Sequence, residues 1–293
     1  MIVIPGEVKT ARLHSLLLGA VAPRPICFAS TIDADGTPNL SPFSFFNVFG
    51  AKPPILIFSP ARRVRDNTIK HTLENIMVTE EVVINVVNYS MVQQTNLASC
   101  EYPRGVNEFE KAGFTAIPSQ IVRPFRVKES PVQLECRVLS VTPTGTEGGA
   151  GNLVICEVLC MHVDDSVLNA EGNIDPHKID LVARMGGDHY CRASGNAVFD
   201  VAKPNTALGI GIDALPEHVR NSKVLTGNDL GILGNSTAIP AQEQLNDKRI
   251  NSLNDMYKND EAARVEGLHR YAKGLLDAGD AARAWQALLS VNK

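Results

Sequence analysis

Asn39-Leu-Ser-Pro-Phe-Ser-Phe-Phe-Asn47-Val-Phe-Gly-Ala-Lys-Pro-Pro54, running on into Ile55-Leu-Ile-Phe-Ser59, is the stretch whose reading decides the fold. Four of the chain's ten phenylalanines (Phe43, Phe45, Phe46 and Phe49) fall in seven of its residues, with Ser41, Ser44 and Asn47 among them. A strand period of two puts Phe43, Phe45, Asn47 and Phe49 on one face and Ser44, Phe46 and Val48 on the other. An apolar wall with a few hydrogen-bonding groups suits a flat aromatic ligand. It suits an ordinary core strand as well, because aromatic strands are usually core.

The flanks place this stretch in a β-rich domain. Residues 26–32 predict a buried strand, Asp33-Ala-Asp-Gly36 a turn, and residues from Thr37 a returning strand, so the two form a hairpin. Lys52-Pro-Pro54 breaks it, and 55–59 predicts a third strand. Leu13, Leu16, Leu17 and Ala20 predict a helix over 10–20, ended by Pro23 and Pro25. A second helix is expected with Asp66 as N-cap and Ile69, Leu73 and Ile76 as its buried stripe. A strand over 81–88, short helices over 90–100 and 108–112, and two long strands over 131–141 and 153–163 follow. The glycines at 145, 148, 149 and 151 imitate a dinucleotide fingerprint, but a strand follows them where that motif needs a helix, so they read as a hairpin loop. Many short strands without βα alternation argue for an antiparallel barrel, mainly β in an α+β chain.

Past Lys203 the composition shifts. Residues 205–239 read as irregular with one short helix over 216–223, and the chain turns helical from Gln242, with Leu245, Ile250, Leu253 and Met256 as apolar points. Val265, Leu268, Tyr271, Ala272 and Leu275 mark a helix over 260–277, and Asp280 caps a last helix holding Trp285, Leu288 and Leu289. The expected division is a barrel domain over 1–203 and a helical extension over 204–293 that supports a dimer, an αα-hairpin laid on a partner subunit.

Composition excludes several function classes. The chain has 293 residues, 44% apolar and 20% charged, with a formal net charge of −4, which leaves no electrostatic footprint for nucleic acid or an anionic membrane. No apolar run approaches the ~20 residues of a membrane span, and the first residues lack a signal-peptide pattern. The six cysteines (Cys27, Cys100, Cys136, Cys156, Cys160, Cys191) contain no CxxC pair. They read as reduced thiols of a cytoplasmic protein, neither a disulfide framework nor a zinc site. Metal-protease, nucleophile-elbow and P-loop motifs are missing, and His71 and His189, the histidines nearest the candidate sites, have no obvious carboxylate orienter, so chemistry here would come from a cofactor.

Two further constellations fit that expectation. Ser59-Pro-Ala-Arg62-Arg63-Val-Arg65-Asp66-Asn67-Thr68 sets three arginines ahead of the expected helix start, where backbone N–H groups, guanidinium forks, the Asn67 amide and the Thr68 hydroxyl would hold a phosphate. A solvated basic loop with an ordinary cap explains the same residues. Arg184-Met-Gly-Gly187-Asp-His-Tyr190 offers an Arg and a Tyr to close over a ring or phosphate.

Together, Pro23-Arg-Pro-Ile-Cys-Phe-Ala-Ser-Thr31, Asp35-Gly36, 39–47, Pro53-Pro54, Asp66-x-Thr68 with Asn75, and Arg184-x-Gly-Gly187-x-x-Tyr190 resemble the flavin reductase-like proteins. These have an FMN-binding split barrel and include flavoredoxins and the reductase components of two-component monooxygenases. The resemblance covers about residues 10–200. Cys27 departs from it, since a smaller residue such as alanine is expected there. It implies a homodimer of six-stranded Greek-key barrels with FMN near the subunit interface, and hydride transfer from NADH or NADPH. Ser41, Pro42, Phe43, Ser44 and Asn47 would line the isoalloxazine; Ser59, Arg62, Asn67 and Thr68 would hold the phosphate; Arg184 and Tyr190 would complete the pocket. Ser44 and Asn47 can both reach the ring only through a bulge or a backbone contact. FAD is not excluded, although one arginine loop fits a single phosphate more simply. Other readings are a flavoprotein that shuttles electrons without a nicotinamide, and an FMN-binding protein acting through a partner such as a monooxygenase. The electron acceptor and the choice between NADH and NADPH are not legible.

Overall fold

Cys27-Phe-Ala-Ser-Thr-Ile32 forms β1, and each of its six residues is buried. The run can be covered on both faces because its polar side chains are small, and the Thr31 hydroxyl accepts from Asn39 and Asn75 in the core. The Asp33 turn closes as expected: the Asp33 carboxylate accepts the Asp35 and Thr37 N–H groups at 3.0 and 2.9 Å, and Gly36 takes a left-handed φ of 87°. The chain then returns as β2 (Pro38–Phe43), antiparallel to β1.

After Phe43 the strand breaks. Only Ser44 and Phe45 separate β2 from β3 (Phe46–Ala51), yet β3 pairs with β4 (Pro54–Phe58) and not with β1. The remaining strands are β5 (Glu81–Val86), the small pair β6 (Ala116–Ile117) and β7 (Arg126–Val127), and the long hairpin β8 (Val132–Pro143) and β9 (Asn152–Val163). The large sheet is antiparallel in the order β2-β1-β5-β8-β9-β4-β3. Its two edge strands are consecutive in the chain and two residues apart, so the sheet has to curl until its edges meet. It counts seven strands where the resemblance implied six, because the aromatic stretch is split in two.

That split also corrects the expected faces. Phe43 is buried and its ring lies 5.4 Å from that of Phe58 in the barrel core, and Phe46 packs on the same core. Phe45, Asn47, Val48 and Phe49 are turned out, Val48 and Phe49 each 64% exposed. The interior core joins Cys27, Ala29, Leu56, Phe58, Ile84, Val154 and Cys156. A second cluster on the other face of β1 packs Phe28 and Leu40 against residues on and around α3 (Val92–Leu97) and α4 (Glu108–Ala112), including Met91, Phe109 and Phe114. The glycines at 145–151 sit in the β8–β9 hairpin loop.

The helix after the arginines begins later than expected. Following α1 (Thr10–Ala20), α2 spans His71–Thr79 with Lys70 at its N-cap position. Asp66 instead closes a turn, its Oδ1 accepting from the Thr68 N–H at 3.0 Å and the Thr68 hydroxyl at 2.6 Å. These bonds, with Arg65 beside it, hold its carboxyl well below the usual carboxylate range. Leu73 and Ile76 are buried as expected. A buried polar cluster pins α2 to the sheet: Asn39 donates to Thr31 and Thr72 at 3.2 and 2.9 Å, and Asn75 donates to Thr31 at 3.1 Å. A short pair, β10 (Val182–Arg184) and β11 (Tyr190–Arg192), completes the first unit, Met1–Phe199.

Asp200–Lys293 is a separate unit with its own core. The structure, a computed structural model, describes residues 1–201, 207–241 and 247–292, so the expected boundary at 203/204 and Gln242 and Leu245 lie outside the described residues. Four predicted helices are present: α5 (Glu217–Arg220), α7 (Lys248–Met256), α8 (Glu261–Asp277) and α9 (Ala281–Leu289), the last capped by Asp280 as expected. Between them lies α6 (Gly227–Gly234), hidden in the sequence by its glycines and closed by a capping box of Thr226 and Asp229. Leu253, Leu268, Leu275, Trp285 and Leu288 pack on one another, whereas Met256 is exposed.

His269 is buried in this unit. Ser222 Oγ accepts the Val224 and Leu225 N–H groups, so its own proton goes to His269 Nδ1 at 2.8 Å. Burial, then the nearby His218, pull the His269 imidazole down to about 4. The unfolded chain protonates it near pH ~6.5, so stability is intact above that value and falls as pH drops toward the folded value. Urea unfolding at pH 7 and pH 5 should show a loss of about 2 kcal/mol for the unit, most of it gone in His269→Gln, where only His218, whose imidazole burial also pulls down, still contributes; equal pH dependence in both proteins would refute this.

Candidate functional site

A cleft of about 340 Å³ opens where β2 ends. Pro42, Phe43 and Ser44 form one wall, Val92, Thr95, Asn96 and Ser99 of the α3 region a second, and Arg184, Asp188 and Tyr190 the third. The break after Phe43 is what turns Ser44 toward this space while Phe43 stays rooted in the core. Arg184 stands over the Tyr190 ring with its guanidinium carbon 4.7 Å from the centroid, and its Nη2 donates to the Gly187 carbonyl at 2.9 Å. Its backbone exchanges hydrogen bonds of 2.9 Å with Arg24. Arg24 is buried, and its guanidinium donates to the carbonyls of Leu18, Val21 and Met185, tying the end of α1 to the 184–190 loop.

The structure thus gathers Pro42, Phe43, Ser44, Arg184 and Tyr190 around one cleft, and Ser41 stands just behind. The other expected residues are elsewhere. Asn47 is on the outer side of β3, where its side chain accepts the Val48 N–H at 2.8 Å. Ser59 is buried and accepts the Asn152 N–H at 3.0 Å. Arg62 donates to the Asn67 side chain and carbonyl at 2.6 and 2.7 Å, and Asn67 donates onward to Thr146 at 3.0 Å. Arg63 donates to Thr68 Oγ1 at 2.8 Å and to Glu101 at 3.0 Å, and Arg65 also pairs with Glu101. The arginine loop therefore spends its donors on itself, on Glu101 and on the glycine loop. Gly148 explains why that loop needs glycine: a Cβ there would lie 2.9 Å from the Arg63 carbonyl oxygen.

The cation that sequence reading missed is Lys70. Its Nζ donates to Ser41 Oγ at 3.3 Å and lies 5.0 Å from the Phe43 centroid, at the start of α2. Among the described residues no carboxylate comes within ion-pair distance of it. Burial, then repulsion from Arg63, lower the Lys70 pKa. A half-buried ammonium without a paired anion gains when an anion joins it. Thr95, Asn96, Ser99 and Asp188 also escaped the sequence reading, since polar residues on a short helix and in a loop carry no spacing signal. Lys70 had one, as the residue just before the Leu73–Ile76 stripe, had the helix start been placed correctly.

The comparisons with known proteins agree with this architecture. The flavin reductase like domain matches residues 19–179, and the chain belongs to that family. An uncharacterized protein of Aquifex aeolicus (strain VF5) is 38% identical over 189 residues, covering 64% of this chain and 94% of that one. Among solved structures, nitrilotriacetate monooxygenase component B from Bacillus cereus is similar at a TM-score of 0.64 and 27% identity, over 69% of this chain and 98% of that one. A protein of Shewanella frigidimarina NCIMB 400, assigned as a flavin reductase with a split barrel domain, is similar at a TM-score of 0.57 and 28% identity, over 67% of this chain and 96% of that one. The fold is a split barrel with added helices, and the family supports a flavin oxidoreductase. The family match ends before the C-terminal unit. Among the described residues no helix is long and apolar enough to cross a membrane.

Proposed function

We propose that this chain is an FMN-binding reductase that takes hydride from NADH or NADPH. The observation that carries the reading is Lys70, a half-buried cation with no carboxylate within ion-pair distance among the described residues, sharing Phe43 with a cleft edged by Arg184 and Tyr190. These residues fit the cofactor: a phosphate would meet the Lys70 ammonium and the free N–H groups at the start of α2. Pro42, Phe43 and Ser44 would wall the isoalloxazine, with Arg184 and Tyr190 opposite. Bound FMN would supply the two-electron chemistry. The chain's own part is to orient the flavin and to exclude water. The phosphate role first read for Ser59, Arg62, Asn67 and Thr68 passes to Lys70, and those residues shape the loop around it.

We also propose a homodimer. Phe45, just before β3, Val48 and Phe49 of β3, Leu17 of α1 and Val21, just after it, leave apolar side chains in water, and His14 of α1 meets Phe45 edge-on at 6.3 Å, so the two rows adjoin. A physiological acceptor, such as a monooxygenase component, would take the electrons in a cytoplasmic setting.

The purified protein should be yellow or take up FMN, and anaerobic NADH or NADPH should bleach the flavin absorbance. If dithionite bleaches it and neither nicotinamide does, the electron-shuttle reading replaces this one; if no FMN binds, both fall. Phe49→Asp should shift the dimer to monomer by light scattering, and an unchanged mass would remove this face as the interface.

A further inference from the structure

Away from the cleft, the long hairpin brings together three side chains of different ligand chemistry. Glu135 of β8 is the register partner of Cys160 of β9, and His162 lies two residues on, so Cys160 and His162 share a face. His162 Nε2 is 2.7 Å from Glu135 Oε1 and 3.5 Å from Cys160 Sγ. All three ligand atoms lie within 4.8 Å of one another. We propose that Glu135, Cys160 and His162 form a binding site for a divalent metal of the zinc class, with solvent as a fourth ligand.

The donor set matches that class, since a thiolate and an imidazole select borderline-soft ions over calcium or magnesium. The geometry is partly set: zinc bonds of about 2.3 Å to sulfur and about 2.0 Å to nitrogen at a tetrahedral angle separate the two donors by about 3.5 Å. That is the Cys160–His162 spacing, whereas the Glu135–His162 contact must open by about half an ångström. Glu135 is the anchor. It is fully buried, and it accepts the N–H groups of Gln120, Ile121 and Val122 at 2.8, 2.7 and 3.2 Å, which fix its orientation. In the metal-free chain its Oε1 holds His162 through a hydrogen bond; the metal takes the place of that shared proton, which the neutral imidazole then carries on Nδ1, while the thiol proton leaves to solvent. The bonds to the 120–122 segment survive, so the carboxylate stays satisfied. Arg126 Nε, 3.9 Å from Glu135, opposes a cation, but two anionic ligands outweigh one guanidinium. Cys160 and His162 are both half-buried, which leaves a path for the ion.

Cysteine counting misses such a site because its ligands sit on two strands, with 24 residues between Glu135 and Cys160 and only one thiol among them. None of the three lines the cleft, so the site stands apart from the proposed flavin chemistry. It would clamp the 118–122 segment to the hairpin.

The test is titration of the full reduced chain with Co²⁺, followed by Zn²⁺ displacement. One equivalent of Co²⁺ should bring a thiolate-to-cobalt charge-transfer band and tetrahedral visible bands that Zn²⁺ abolishes. Cys160→Ser should lose the charge-transfer band, His162→Gln should weaken affinity by about tenfold or more, and Cys100→Ser should behave as wild type. No band in the wild type, or a band that persists in Cys160→Ser, overturns the proposal. Circular dichroism of each variant shows that it is folded.

Discussion

Lys70→Met should weaken FMN binding by about 10–100-fold, the equivalent of losing one charge-assisted hydrogen bond worth about 1.5–3 kcal/mol. Met keeps the length and apolar stem that pack against Phe43 and removes only the ammonium. Stability should hold or rise, because the wild-type chain holds a half-buried cation there without an ion-pair partner. Lys70→Arg should restore part of the affinity, since a guanidinium can meet the phosphate from a similar stem. Arg62→Ala is the competing variant. Its guanidinium is engaged with Asn67, so its loss acts indirectly and should cost less. Flavin fluorescence quenching on the three proteins decides the matter: normal binding by Lys70→Met together with a large loss in Arg62→Ala would return the phosphate to the arginine loop.

Trp285→Ala should cost the C-terminal unit about 3–5 kcal/mol, the range for removing a fully buried large aromatic. Trp285 is 2% exposed and donates to Ser236 Oγ at 2.9 Å, so truncation leaves a cavity and an unpartnered hydroxyl together. A unit of this size has a stability of that same order, which makes local unfolding the expected result. Trp285→Phe separates the two causes, keeping most of the ring and losing the hydrogen bond. Calorimetry and proteolysis of the full chain should show the loss between residues 207 and 292. The barrel core and the core around Trp285 share no residue, so flavin binding should persist. A cooperative collapse of both units at once would contradict this.

The sequence carried most of the barrel because its signals were local. Val, Ile and Cys runs marked β5, β8 and β9, the Asp33–Gly36 turn marked the first hairpin, and a strand after the glycines ruled out a dinucleotide fold. The failures came where a non-local partner decided the matter. Nothing in Phe43-Ser-Phe-Phe46 announces that β3 will pair at the far edge of the sheet, and that pairing reversed the expected faces and carried Asn47 away from the cleft. Asp66 is a sound N-cap by residue type, yet Thr68 satisfies it locally and leaves the helix to begin at His71. The arginines looked free in sequence because Glu101 and the Thr146 carbonyl, which engage them and Asn67, are some 35 and 80 residues away. In the tail, α6 was hidden because glycine lowers helix propensity while a capping box restores it.

The passage from β2 to β3 also bears on how this protein can diverge. Each strand is registered against a different neighbour, and both Phe43 and Phe46 must end on the core. Inserting or deleting one residue between them would rotate one strand's side chains through to the opposite face. Lineages descended from this chain are therefore free to exchange residues at 45, 47 and 49, subject to what those positions touch, but not to change the spacing between 43 and 46. Drift in composition and conservation of length should mark this segment, and variation in loop length should accumulate elsewhere, as at the surface turn that the Asn169 N–H closes by donating to the Asn173 carbonyl.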